Sequence, residues 1–148
     1  MRLGRRLAFD PGSVRIGVAV CDPDGLLASS RQAIAAGDQD ALRGVVNEIA
    51  PVEIIVGLPI GLDGKEGQAA QRARDFAQDL STWSRTPIRL VDERLSTVQA
   101  QRGLHDRGRS VRQSRTMIDS ASAEVVLQHA LDAERGSGQP PGEVFEAT

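Results

Sequence analysis

Two short apolar, β-prone runs, Leu7 to Asp10 and Ile16 to Cys21, are joined by a connection built on Pro11-Gly12-Ser13. That link is too short to hold a crossover helix, so the two runs must pair as antiparallel neighbours. A third run, Leu26 to Ser30, follows the turn-forming stretch Asp22-Pro23-Asp24-Gly25 and extends the hairpin to a three-strand antiparallel meander. The pattern then changes. Ala41, Leu42, Val45, Val46 and Ile49 recur at helical spacing behind the acidic start Asp38 and Asp40, and Pro51 ends the helix. Glu53 to Val56 reads as a buried strand closed by Gly57-Leu58-Pro59. A glycine-rich loop over Gly61 to Gly67 precedes a polar helix from about Gln68 to Leu80, and Ile88 to Val91 forms another short strand. Helices are predicted over Thr97 to Arg107 and Asp119 to Glu134. A meander followed by alternating strands and helices predicts an α/β domain, a mixed β-sheet with helices on both faces. The chain has 148 residues, room for one such domain. We place it over residues 1–135, with 136–148 as a flexible C-terminal tail because Gly136 to Gly142 is rich in Gly, Ser and Pro.

Composition removes several functions. Three Phe, one Trp and no Tyr leave almost no surface for stacking nucleobases. A single cysteine, Cys21, can form no internal disulfide, and with His105 and His129 it offers no zinc-ligand spacing. No signal peptide or membrane-spanning run is evident, so the expectation is a cytoplasmic protein that does not engage membranes. The net charge of −2 hides a gradient: residues 85–115 carry eight Arg against three acids, and 116–148 carry one Arg against six. A basic stretch inside a mildly acidic chain points to a local anionic partner.

Acids stand at three element ends. Asp10 closes the first strand before a Pro-Gly turn. Asp92 and Glu93 follow Ile88 to Val91; by strand alternation Asp92 shares a face with Ile88 and Leu90 while Glu93 points with Arg89 and Val91, so only one of the two enters a given site. Asp119 opens the last helix beside the small residues Ser120, Ala121 and Ser122. Each has an ordinary explanation by itself: turn chemistry for Asp10, helix capping around Ser96 and Thr97, and a favourable helix dipole for Asp119. Together, Asp10, Glu93 and Asp119 make a set of hard oxygen ligands suited to Mg²⁺ or Mn²⁺. Two such ions would serve phosphodiester hydrolysis without a nucleophilic Ser or Cys or a general-base His.

The run from Asp10 to Ala19 is shared by ribonuclease H-like nucleases and by the sugar kinase and actin-like ATPases. The ATPases close two such lobes around a nucleotide, and this chain has room for one. Four segments, Leu7 to Val20, Ile54 to Pro59 with Asp63-Gly64 and Glu66, Asp92 to Thr97, and Asp119 to Ala123, resemble in order the YqgF (RuvX) family across residues 6–135. The resemblance implies a ribonuclease H-like fold related to the resolvase RuvC. It also implies a nuclease maturing the 5′ end of 16S ribosomal RNA, with its acids at Asp10, Glu93 and Asp119. Val14 stands where many members have Lys, and Gln113 to Met117 where many are Lys-rich.

Arg102 to Arg115 holds five Arg and one Asp. Arg107, Arg109, Arg112 and Arg115, with Arg15 in the hairpin, are the expected phosphate contacts beside an acidic site. Precursor ribosomal RNA is the first expected partner. A branched-DNA resolvase, which would have to act as a homodimer where the RNA nuclease could be a monomer, is the second reading, and a non-catalytic nucleic-acid-binding module the third. Acids and arginines address a backbone that RNA and DNA share, so the sequence leaves these alternatives open.

Overall fold

The computed structural model describes residues 1–93 and 120–147. Strands β1 (Arg6–Pro11), β2 (Arg15–Cys21) and β3 (Ala28–Ala35) form the antiparallel meander. Helix α1 (Gln39–Ile49) leads to β4 (Glu53–Leu58), and helix α2 (Gln68–Trp83) leads to β5 (Ile88–Asp92). Helix α3 (Ala121–Ser137) and the short β6 (Glu143–Val144) complete the described chain. The sheet order is β3-β2-β1-β4-β5-β6, with β1, β4 and β5 mutually parallel. A single mixed sheet with helices on both faces is the expected architecture.

Strand alternation divides the core into two layers. Leu7, Phe9, Ile54, Val56, Ile88 and Leu90 face α1 and α2, meeting Leu42, Val46 and Ile49 from α1 and Ala70, Ala73, Ala77 and Leu80 from α2. Ala8, Ala19, Ile55 and Val91 face α3 and meet Ala123, Val126, Leu127, Ala130 and Leu131. Alanines at 8 and 19 leave the space that a helix needs to lie close to the sheet.

Local chemistry sets the boundaries. Asp38 caps α1 by accepting from the Ala41 N–H at 3.1 Å, and Ala50 ends it in the left-handed region at φ 48° before Pro51. The third strand begins later than Leu26 and runs further than Ser30. The Asp22 carboxylate accepts the N–H groups of Asp24, Leu26 and Leu27 at 3.1, 2.9 and 2.7 Å, which holds Leu26 and Leu27 in the turn. The helix expected over Thr97 to Arg107 lies outside the described residues.

The segment expected as a tail from residue 136 is partly built into the domain. Helix α3 continues to Ser137, and β6 adds an antiparallel strand to the edge of β5, with the Phe145 N–H donating to the Ile88 carbonyl at 2.8 Å. The glycines that suggest a tail by composition serve here as turn residues: Gly138 and Gly142 both sit at φ 80°. Phe145 packs against the α1/α2 core layer.

At the amino ends of the parallel strands, a charged cluster ties four elements together. Arg6, 1 % exposed, donates to Glu134 of α3 at 3.1 Å. Arg2 reaches both Glu134 and Glu53 at 2.7 and 3.1 Å, and Arg89 reaches Glu53 at 3.1 Å. Burial pushes the Glu134 carboxyl up, but the hydrogen bonds and charge of Arg2, with the charge of Arg6, outweigh it and bring the group down to about 2.

Candidate active site

On the α3 side of the sheet β1 presents Arg6, Ala8 and Asp10, β4 presents Glu53, Ile55 and Gly57, and β5 presents Arg89, Val91 and Glu93; Ile55 pairs with Arg89 and Gly57 with Val91, so Glu93 stands two residues beyond the partner of Gly57. Carboxyl ends of parallel strands are where open α/β sheets place their ligands, because backbone pairing stops there and side chains converge from separate strands. Ile88 and Leu90 join the opposite core layer, and Glu93 lies on the face that Val91 shares with α3.

Glu93 just follows β5, its backbone N–H donating to the Leu58 carbonyl at 3.1 Å. Its side chain folds back across β4 and hydrogen-bonds the carboxyl of Asp10 on β1. Burial pushes the Glu93 carboxyl well above the usual carboxylate range, aided by the bond to Asp10 and the negative charges of Asp10 and Asp92. The Asp10–Glu93 pair therefore resists carrying two negative charges. Two carboxyls this close do not both ionise unless a cation compensates them, and the donor set is all hard oxygen.

Asp10 owes its place to the hairpin. It pairs with Gly17 on β2 and stands one residue beyond Phe9, the partner of Val56. The Gly12 N–H donates to the Arg15 carbonyl at 2.8 Å and closes the turn. Arg15 is exposed at the start of β2, at the same end of the sheet as Asp10. Asp92 ends β5 beside Glu93 and adds negative charge to it. Asp119, Arg107, Arg109, Arg112 and Arg115 lie outside the described residues. Among the described residues no group of three or more His, Cys, Asp or Glu is placed to hold a metal ion; the described part of the site is the pair Asp10 and Glu93, which fits a divalent cation by donor type.

The sequence named two further contributors, Ser120 as a small residue and Gly57 as a strand ending, without the parts they play. The register of β2 against β3 shifts between Ile16 and Val18, and the Val18 N–H donates to the Ser120 hydroxyl at 3.0 Å. Ser120 is fully buried and precedes α3, so the amino end of that helix is fixed to the strand that carries the partner of Asp10. A buried hydroxyl at a bulge has no periodic signal. The other contributor is Gly57, whose missing side chain leaves room for the Glu93 carboxyl.

A family model described as RuvX, Holliday junction resolvase, matches residues 4–133. The chain belongs to the RuvX family. A Streptomyces coelicolor relative named "Putative pre-16S rRNA nuclease" is 49% identical, with 99% of this chain and 90% of that protein covered. A Thermobifida fusca relative of the same name is also 49% identical, over 100% of this chain and 99% of its own. RuvX proteins are nucleases, hydrolases acting on ester bonds. Among solved structures, T. thermophilus RuvC in complex with a Holliday junction substrate superposes with a TM-score of 0.60 at 15% identity, covering 96% of this chain and 99% of that one. A second T. thermophilus RuvC structure gives 0.52 at 16% identity. The fold is that of RuvC, ribonuclease H-like. Among the described residues no helix is long and apolar enough to cross a membrane.

Proposed function

We propose that this RuvX-family chain is a divalent-metal-dependent nuclease that matures the 5′ end of precursor 16S ribosomal RNA in the cytoplasm. The observation that carries the reading is the meeting of the Asp10 and Glu93 carboxyls at the carboxyl end of the parallel strands. The names of the curated relatives supply the substrate class. Asp10, Glu93 and Asp119 would hold Mg²⁺ or Mn²⁺, in a pair of ions. Ions bound there would lower the pKa of a bound water so that it is more readily deprotonated for attack, and would offset charge on the leaving oxygen.

The chain's own groups do the rest. Asp10 and Glu93 would both serve as ligands in the ionised form, the pair releasing its proton to solvent as a cation binds. Arg15, Arg107, Arg109, Arg112 and Arg115 hold the phosphates on either side of the scissile bond and offset the negative field of the acids. Backbone contacts of this kind position a strand without reading its sequence.

A branched-DNA resolvase is the second reading, favoured by the description of the family model. Symmetric cutting of two strands would require a homodimer. Purified protein incubated with precursor 16S RNA, single strands, duplex and a four-way junction, each with Mg²⁺, Mn²⁺ or excess chelator, tests both. Metal-dependent cutting of the precursor RNA is the expected result. Cutting confined to the junction would transfer the assignment to the resolvase, binding without cutting would leave a nucleic-acid-binding module, and cutting in excess chelator would overturn the metal mechanism.

A further inference from the structure

Asp10 and Glu93 do not sit on neighbouring strands. Strand β4 runs between β1 and β5, so about 9–10 Å separates the two backbones across the sheet. For the carboxyls to touch, one must cross the intervening strand on the α3 face; Gly57 follows Val56, the partner of Phe9, and pairs with Val91, and the Glu93 side chain reaches back over it. A Cβ built at Gly57 would run into the Glu93 Oε1 atom and lie 3.0 Å from its Cδ and 3.1 Å from its Cγ. The whole end of the Glu93 side chain thus occupies the space that any other residue would fill. Gly57 is part of a strand and is absent from the residues with positive φ, so its backbone conformation gives no reason for glycine there.

We infer that Gly57 is a positioning residue of the site: the missing side chain is the window through which Glu93 reaches Asp10, allowing acids from non-adjacent strands to share one cation. The steric part stands on the geometry alone, and the cation part rests on the proposed nuclease reading. Glycine is a poor strand residue, and where no obstacle exists its replacement by alanine stabilises a strand. Retaining glycine here therefore has a cost that the passage of Glu93 explains.

The test is a double-mutant cycle with a metal titration. Gly57→Ala is expected to lower the thermal midpoint by several degrees in the wild-type background, and to leave it unchanged or raise it in the Glu93→Ala background, where nothing crosses the strand. In calorimetric titration with Mn²⁺, Gly57→Ala is expected to bind at least about tenfold more weakly than wild type although both acids remain. If Gly57→Ala alone fails to fold, recovery of a folded protein in Gly57→Ala/Glu93→Ala supports the window, and failure of both overturns it. Equal shifts of the midpoint in the two backgrounds would also overturn it, as would wild-type Mn²⁺ affinity in folded Gly57→Ala. A wild-type protein that binds no Mn²⁺ would overturn the cation part and, with it, the metal reading of the site; the cycle would still report on the window.

Discussion

Replacing Asp10 with Asn keeps its size and its ability to bond Glu93 but removes a charge from the ligand set. Substituting groups that merely orient metal ligands costs about 10–100-fold, so a direct ligand should cost at least about 100-fold. We therefore expect Asp10→Asn to lose cleavage by that factor while its circular dichroism and thermal midpoint stay close to wild type. Full activity in a folded Asp10→Asn protein would remove Asp10 from the chemistry. The companion comparison is between neighbours: Glu93→Gln should lose far more activity than Asp92→Asn, because Glu93 crosses to Asp10 whereas Asp92 follows Leu90 onto the opposite side of the strand. Equal losses would show that both acids serve the site. At this scale much was legible, since strand alternation is a period of two and it alone separates Asp92 from Glu93. The meeting of Glu93 with Asp10 was not, because it depends on a distance between residues 83 positions apart in the sequence.

Among the elements, α3 is fastened at its start to the sheet at the active end. The Val18 N–H is buried and its acceptor is the Ser120 hydroxyl. Ser120→Ala leaves that donor without a partner, at a cost of about 1–3 kcal/mol. Urea denaturation should show this loss as a shifted midpoint with unchanged slope. Cleavage should fall as well, since the residue before Ser120 is the proposed ligand Asp119; activity equal to wild type in Ser120→Ala would mean that the helix start does not position the site. Helix α3 itself was evident from its apolar spacing and β4 from its continuous apolar run. Strand β6 was not, because two exposed residues after a glycine carry no periodicity, and their pairing is decided by the free edge of β5.

Across the whole molecule the sheet has two charged ends with different tasks. At the end away from the acids, Glu134 gains stability from its bonds to Arg2 and Arg6. Its carboxyl, ordinarily at 4.5, is held at about 2 in the folded state, so the contribution is fully present above pH 4.5 and is lost as the pH falls toward 2. The amount is about 3 kcal/mol. Glu134→Gln should be less stable than wild type by about that much at pH 7, with the gap closing as the pH falls from 4.5 toward 2; a gap independent of pH in urea titrations would show that the pairing contributes only packing. At the acidic end the arginine-rich stretch is expected to hold substrate and not metal. Replacing Arg107, Arg109 and Arg112 together with Ala should weaken binding of RNA and DNA alike and reduce the salt slope of log affinity by about one for each lost contact. Mn²⁺ affinity of the free protein should stay at its wild-type value. An unchanged salt slope would take these arginines out of the interface.

The sequence by itself determined what depends on neighbours along the chain: the meander from its Pro-Gly turn, the alternation of buried faces, the caps and breakers that bound α1, and the placing of acids at strand ends. Its ordered motifs also carried the family resemblance. Only the tertiary structure decided that the Glu93 carboxyl crosses a glycine on β4 to reach Asp10, that Ser120 fastens the last helix to a bulge in β2, and that Arg2, Arg6, Glu53, Arg89 and Glu134 gather at one end of the sheet. Those arrangements join residues far apart in the chain, and their energies arise from distance and burial, which are fixed only when the strands take their order in the sheet.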